Sequence, residues 1–153
     1  MTLESGKYTI LSKVDGAPVG RRLAEDRSLL PKGIYKLPKD LEADIVIWDV
    51  EKLENGNYKF KAIGDVVGAI DGRLFAILLE DQVVDAATEW TLQQDERDTE
   101  GNAFVVMTAG QQGDGWVAPT GEDEQIVIKP IIAGFSLPPA YPPTEVFVFN
   151  KLD

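Results

Sequence analysis

The sequence predicts an all-β domain, a β-trefoil of twelve strands in three pseudo-repeats, with a six-stranded barrel capped by hairpins. Three observations predict it. Short β-branched and aromatic runs recur along the whole chain, bounded by Gly, Asn, Asp and Pro. A Gly-x-aromatic motif opens three stretches: Gly6-Lys7-Tyr8, Gly56-Asn57-Tyr58 and, one residue longer, Gly101-Asn102-Ala103-Phe104. No capped amphipathic helix interrupts the series, and only the stretch 79–94 carries any helical propensity.

The strands follow in order. Segment 7–14 (KYTILSKV) alternates, with Tyr8, Ile10 and Leu11 expected inside. Segment 43–50 (ADIVIWDV) puts Ile45 and Ile47 on one face, Val46 and Trp48 on the other. Segments 57–63, 102–108, 125–132 and 144–150 carry the same kind of β-rich run. Turn signals stand at Asp15-Gly16, Asn55-Gly56, Asp71-Gly72 and Asp114-Gly115. Each repeat also holds a short strand near a glycine, at Val19-Gly20, Val67-Gly68 and Trp116-Val117. Each closes on an apolar strand, Ile45 to Trp48, Thr88 to Leu92 and Glu145 to Phe149. The expected domain is the single span 1–153, with pseudo-repeats at roughly 6–55, 56–100 and 101–153. Closing the barrel removes the open edges that make sheets aggregate.

Two segments break the regularity. One is 24–32 (AEDRSLLPK); the other is 134–143 (GFSLPPAYPP), whose four prolines forbid a central strand and imply a stiff, extended connection.

Composition narrows the function. The 153 residues contain no Cys and no His, so there is no thiol nucleophile, no imidazole base and no His or Cys metal ligand. An enzyme is therefore not expected, nor a cofactor or a metal. The formal net charge is −11, the wrong sign for nucleic acid or an anionic membrane surface. It suits a cationic protein partner. The first residues lack the basic and apolar regions of a signal peptide, and no run is long enough to span a bilayer. A cytoplasmic monomer is expected.

Carboxylate clusters at Glu80-Asp81, Asp95-Glu96 and Glu122-Asp123-Glu124 fall in expected hairpin turns and read as solvated charge. A sugar-binding trefoil is the alternative from another class. The ricin-like lectins carry Gln-x-Trp in each repeat, whereas Trp48, Trp90 and Trp116 all lack Gln two positions earlier. Trp48 and Trp90 read as core, and Trp116 as a turn-flanking, exposed residue. The best functional candidate is segment 24–32. A protease inhibitor needs an exposed convex loop held in a substrate-like, extended shape. Arg27 at its crest would suit a trypsin-like pocket with a buried carboxylate. A lone Arg beside Glu25 and Asp26 is ordinarily a solvated ion-pair partner, so the residues alone leave both roles open.

The segments Gly6-Lys7-Tyr8, Val19-Gly20-Arg21 and Leu23 to Lys32 resemble the mushroom (basidiomycete) β-trefoil serine protease inhibitors, the cospin-like family. The resemblance covers the length of the chain and its lack of cysteine. It implies inhibition of a trypsin-like serine protease through the loop between strands 2 and 3. It implies Arg27 as the P1 residue, Ser28 across the scissile bond, and Glu25, Asp26, Leu29 and Leu30 flanking in the cleft. Related mushroom trefoils inhibit papain-like cysteine proteases through other loops, which keeps cysteine-protease inhibition as a further alternative. Some also inhibit asparaginyl endopeptidase through an asparagine between strands 5 and 6, expected here at 69–73, where no asparagine stands. Plant Kunitz inhibitors use the loop between strands 4 and 5, expected here at 51–55 with Lys52 its basic residue.

Overall fold

Strands β1 (Gly6–Ser12), β4 (Trp48–Lys52), β5 (Tyr58–Ala62), β8 (Trp90–Gln94), β9 (Ala103–Thr108) and β13 (Phe147–Lys151) pair antiparallel around a complete ring. This is a computed structural model, and it describes residues 3–82, 87–110, 113–134 and 136–152. The ring closes where β1 meets β13, from Tyr8 opposite Lys151 to Ser12 opposite Phe147. Three hairpins cap one end: β2 (Val19–Arg21) with β3 (Lys32–Lys36), β6 (Asp65–Ile70) with β7 (Arg73–Ile77), and β10 (Asp114–Val117) with β12 (Val127–Pro130). They also pair with one another, β3 with β7, β7 with β12, and β11 (Glu124–Gln125) with β3. The expected β-trefoil is therefore present. Its eleventh strand is interrupted at Ile126 into β11 and β12, because the Ile126 backbone bonds across the cap to Ile34 O and from Leu74 N instead.

The core explains the pattern of strand residues. Tyr8, Ile10, Tyr58, Phe60, Phe104 and Val106 point inward from the barrel, spaced two apart as the pleat requires. Leu11, expected inside, is only half-buried, because it follows Ile10 and so faces the other way. Trp48 and Trp90 begin β4 and β8, are fully buried, and donate from Nε1 to Val19 O (2.7 Å) and Val67 O (3.3 Å). In the third repeat Phe147 takes the equivalent place at the start of β13. Trp116 corrects the expectation of exposure: it is fully buried, with ring centroids of Trp48, Phe60, Trp90 and Phe147 at 5.4–5.8 Å. Its Nε1 has no partner among the described residues, a cost of about 1–3 kcal/mol. Burying a ring of this size is worth on the order of 4–6 kcal/mol at about 25 cal per Å², which outweighs that cost.

Other boundaries shift for local reasons. Single 3₁₀ turns at Ala43–Ile45 and Pro143–Glu145 precede β4 and β13, so those strands start later than the apolar runs suggest. Asp114-Gly115 is not a turn but lies in β10; Gly113, at φ +97°, turns the chain instead. Asp71-Gly72 does form a two-residue turn, with φ of +50° and +76°, but it joins β6 to β7. The connection between β5 and β6 is Ile63-Gly64 rather than 69–73. The proline-rich segment lies in the β12–β13 connection, with Phe135 outside the described residues. Part of the 79–94 stretch is outside them too; what precedes it is one 3₁₀ turn at Glu80–Gln82.

Glu145 is almost wholly buried beneath that connection. Its Oε2 accepts from Ile132 N at 2.9 Å, and its Oε1 has no partner among the described residues. Burial pushes its carboxyl above the ordinary value of 4.5. The fold thus favours the neutral acid, so this residue weakens the protein as pH rises through the raised value. Glu145→Gln is expected to melt a few degrees higher than the parent at pH 7, the gap closing below the ordinary carboxylate value. Thermal melts of both proteins across that range test this; an equal gap at every pH would show that ionisation is not the burden.

Candidate functional site

The three cap hairpins are equivalent in the fold but not in their connections. β6–β7 turns in residues 71–72, and β10–β11 in 118–123, while β2–β3 spans 22–31. The extra chain in the first repeat buries little of its apolar content. Leu23, Ala24, Asp26, Arg27, Ser28, Leu29 and Leu30 are all exposed. Such a loop frays unless polar contacts hold it.

Two cations at its base hold it. Arg21, the last residue of β2, is buried, and its Nε and Nη2 donate to Glu25 Oε2 (3.0 Å) and Oε1 (2.7 Å). Its Nη1 donates to Asp65 Oδ2 (2.8 Å) and Ala62 O (3.1 Å), tying the loop to the β5–β6 turn. Removing one partner of a buried pair costs about 3–5 kcal/mol, far more than a surface pair. Lys32, the first residue of β3, is also buried. Its ammonium donates to Asp26 Oδ1, to Asp26 O (3.1 Å) and to Ser28 Oγ (3.1 Å). Asp26 Oδ1 accepts in turn from Ser28 N (2.9 Å) and Ser28 Oγ (2.6 Å). Those Lys32 and Ser28 bonds hold the Asp26 carboxyl well below the usual carboxylate range. Protonation of Asp26, as pH falls through that depressed value, would weaken the cluster.

Upstream, Arg22 lies 3.9 Å over the Tyr35 ring and donates to Asp123 Oδ1 and O, each at 3.2 Å. The loop arches over a polar cavity of about 250 Å³ whose lining includes Glu25, Lys32, Tyr35 and Phe75.

Arg27 stands between these anchors. It is exposed, and has no hydrogen-bond or ion-pair partner among the described residues. Its neighbours Glu25 and Asp26 are engaged elsewhere, so the solvated Arg27 ion pair that the residues left open does not form. Nor do Glu25 and Asp26 project as free flanking groups: Glu25 turns to Arg21 and Asp26 to Lys32. The chain curves through residues 27–30 where a fully extended segment was expected, because the Asp26–Ser28 contacts pull it into a turn. Leu29 and Leu30 remain exposed beyond it, at 59% and 64%. Sequence reasoning missed Arg21 and Lys32 as clamps, and it counted Lys32 in the loop. The available signal was a cation ending one apolar strand and a cation opening the next, around an acidic pair.

Other basic residues are placed differently. Lys52 lies within β4, opposite Tyr58, and Arg73 opens β7, opposite Ile70. Their backbones are committed to the sheet. All three tryptophans, the side chains a sugar would stack on, are inside. Among the described residues no group of three or more acidic side chains is placed to hold a metal ion.

A β-trefoil that presents one long, clamped loop with a free cation at its crest is built as a loop-presenting binding protein. The sequence profile of the peptidase inhibitor I66 family matches residues 1–151, and the chain belongs to that family. A serine protease inhibitor from Lentinula edodes is 35% identical over 99% of this chain and 100% of its own. A proteinase inhibitor from Coprinopsis cinerea superposes with a TM-score of 0.88 at 39% identity, over 99% of this chain and 100% of its own. A ricin B-like lectin from Macrolepiota procera, in complex with lactose, shares the fold at a TM-score of 0.67 and 13% identity, over 99% of both chains. The inhibitor relatives are named as inhibitors and not as enzymes.

If the Lys32 cluster holds the loop, Lys32→Met should raise the hydrogen-exchange rate of the Ser28 amide on the order of tenfold, the barrel amides staying protected. Exchange measured by NMR checks this; a Ser28 rate equal to the parent's would mean that other contacts hold the turn.

Proposed function

We propose that this protein is a reversible, substrate-like inhibitor of trypsin-type serine proteases, binding as a monomer with Arg27 as its P1 residue. The observation that carries the reading is the isolation of Arg27: exposed and unpaired at the crest of a loop whose neighbours on both sides are anchored. The anchored backbone on either side loses little ordering entropy on binding, and the unpaired guanidinium is free to enter a deep acidic pocket and pair bidentately with a carboxylate.

The same anchors suit inhibition over hydrolysis. Attack of the protease serine on the Arg27 carbonyl carbon would break the Arg27–Ser28 bond and release the Ser28 nitrogen as an amine. Asp26 Oδ1 already holds that nitrogen at 2.9 Å, and Lys32 holds Ser28 Oγ at 3.1 Å. The leaving amine would stay beside the acyl carbon, so resealing competes with loss of the product strand. The net charge of −11 adds long-range attraction to a cationic protease, which raises the association rate at low salt.

Inhibition of trypsin by the parent, Arg27→Ala and Arg27→Lys tests the reading. The parent should inhibit at 1:1 stoichiometry. Arg27→Lys should retain most of that, and Arg27→Ala should weaken it on the order of a thousandfold, as expected for a buried anchor. Equal inhibition by the parent and Arg27→Ala would remove Arg27 from the site. A parent that leaves trypsin active would end the proposal.

A further inference from the structure

Nine large hydrophobic residues are exposed among the described residues, and four of them gather at one place. Leu29 and Leu30 lie on the loop itself. Leu23, Ile45, Ile47 and Ile63, exposed by 65%, 52%, 42% and 69%, line one small apolar depression floored by Gly20, Val46, Trp48 and Ala62. These residues come from three separate connections: β2–β3, β3–β4 and β5–β6. Arg21 forms part of the same depression while gripping Glu25 of the loop, so the patch and the loop share one rigid base.

Ile63 sharpens the observation. It occupies the first position of the two-residue β5–β6 turn, at φ +51°, followed by Gly64 at +80°. Asn, Asp or Gly fits that conformation, whereas a β-branched side chain is strained there. The strained residue also exposes an isoleucine to water. Both costs fall on one residue that the barrel does not need, which points to a surface kept for contact.

We infer that Leu23, Ile45, Ile47 and Ile63 form a second contact face for the same protease, gripping an apolar part of the rim beside its active-site cleft. This rests on the proposal that Arg27 enters that cleft. Protease–inhibitor complexes bury about 800 Å² and roughly 20–30 residues on each partner, and the β2–β3 connection spans only 22–31, so adjoining surface takes part. The patch surface is aliphatic, whereas Arg22, next to Leu23 in the chain, is charged and paired with Asp123. An aliphatic face rejects solvated charge, so it selects among proteases that share the same P1 preference according to their rims.

The test compares trypsin binding by the parent, Arg27→Ala, the double variant Ile47→Ser/Ile63→Asn, and the control Ile132→Ser, an exposed isoleucine outside the patch. The double variant should dissociate on the order of tenfold faster, with its association rate and salt dependence unchanged, since apolar contact acts on residence time. Its melting temperature should equal or exceed the parent's, because Asn suits the left-handed turn, and this separates lost contact from lost structure. Ile132→Ser should match the parent. A dissociation rate for the double variant equal to the parent's, with Arg27→Ala still strongly weakened, overturns the patch and leaves the Arg27 reading standing. Equal inhibition by the parent and Arg27→Ala overturns both.

Discussion

Pairing of the first strand with the last is the constraint from which the rest of this structure follows. Five registered pairs between β1 and β13 turn six strands into a ring. A ring has no edges, so no stretch of barrel backbone needs to be shielded from association. It also has an interior, which three repeats must fill around one axis. The repeats supply Trp48, Trp90 and Phe147 from equivalent positions, and the space they leave is taken by Trp116, which belongs to one repeat alone. Once closure and filling are satisfied, the hairpin connections outside are not required for the core. One of them can be lengthened without cost to the barrel.

Lengthening a loop creates a different problem, because a chain without cysteines has no disulfide to restrain it. This protein solves it with buried cations and surface carboxylates. Arg21 and Lys32 hold the β2–β3 loop. Lys36, fully buried, donates to Asp15 Oδ2 at 2.7 Å and to Thr120 O at 3.4 Å, joining the β1–β2 connection to the β10–β11 connection. The arrangement works in one direction only. A buried ammonium or guanidinium left unpaired is strongly unfavourable, so the acidic partner is drawn to it and the backbone carrying that partner follows. The excess of acidic residues is thus partly structural, its carboxylates serving as latches on cations that cannot leave.

The barrel was largely legible from residue order, because pleat alternation and Gly-x-aromatic repetition are local properties. Trp48 and Trp90 could be placed inside from their matching strand positions. Trp116 could not, since a tryptophan after Asp-Gly reads locally as a turn residue, and only the pseudo-threefold axis puts it at the centre. Ile63-Gly64 escaped notice because isoleucine is a poor predictor of a left-handed turn, which shifted the expected β5–β6 connection to the stronger Asp71-Gly72 signal. In the site, the exposure of the loop around Arg27 was legible, and the resemblance selected this loop among the others. The clamps were not legible: Arg21 reaches Ala62 and Asp65, more than forty positions away. That contact exists only after β2 and β5 have been brought together by the ring.

The identity of the clamping partners also explains a feature of the loop that the sequence makes puzzling. Two carboxylates directly before an arginine should neutralise it and should repel an acidic pocket. They do not pair with it here, because each is claimed by a cation more deeply buried than Arg27. Glu25 gains two bonds from a guanidinium that cannot swing away, and Asp26 gains one ammonium and two Ser28 donors. Competing for either from the solvent, Arg27 would offer one screened surface contact, worth about 0–1 kcal/mol. The buried guanidinium and ammonium hold both carboxylates in its place, because a buried cation left unpaired is strongly unfavourable. The acidic pair is therefore what leaves Arg27 free: it bonds Arg21, Lys32 and Ser28, fixes the backbone on both sides, and leaves Arg27 without a partner among the described residues.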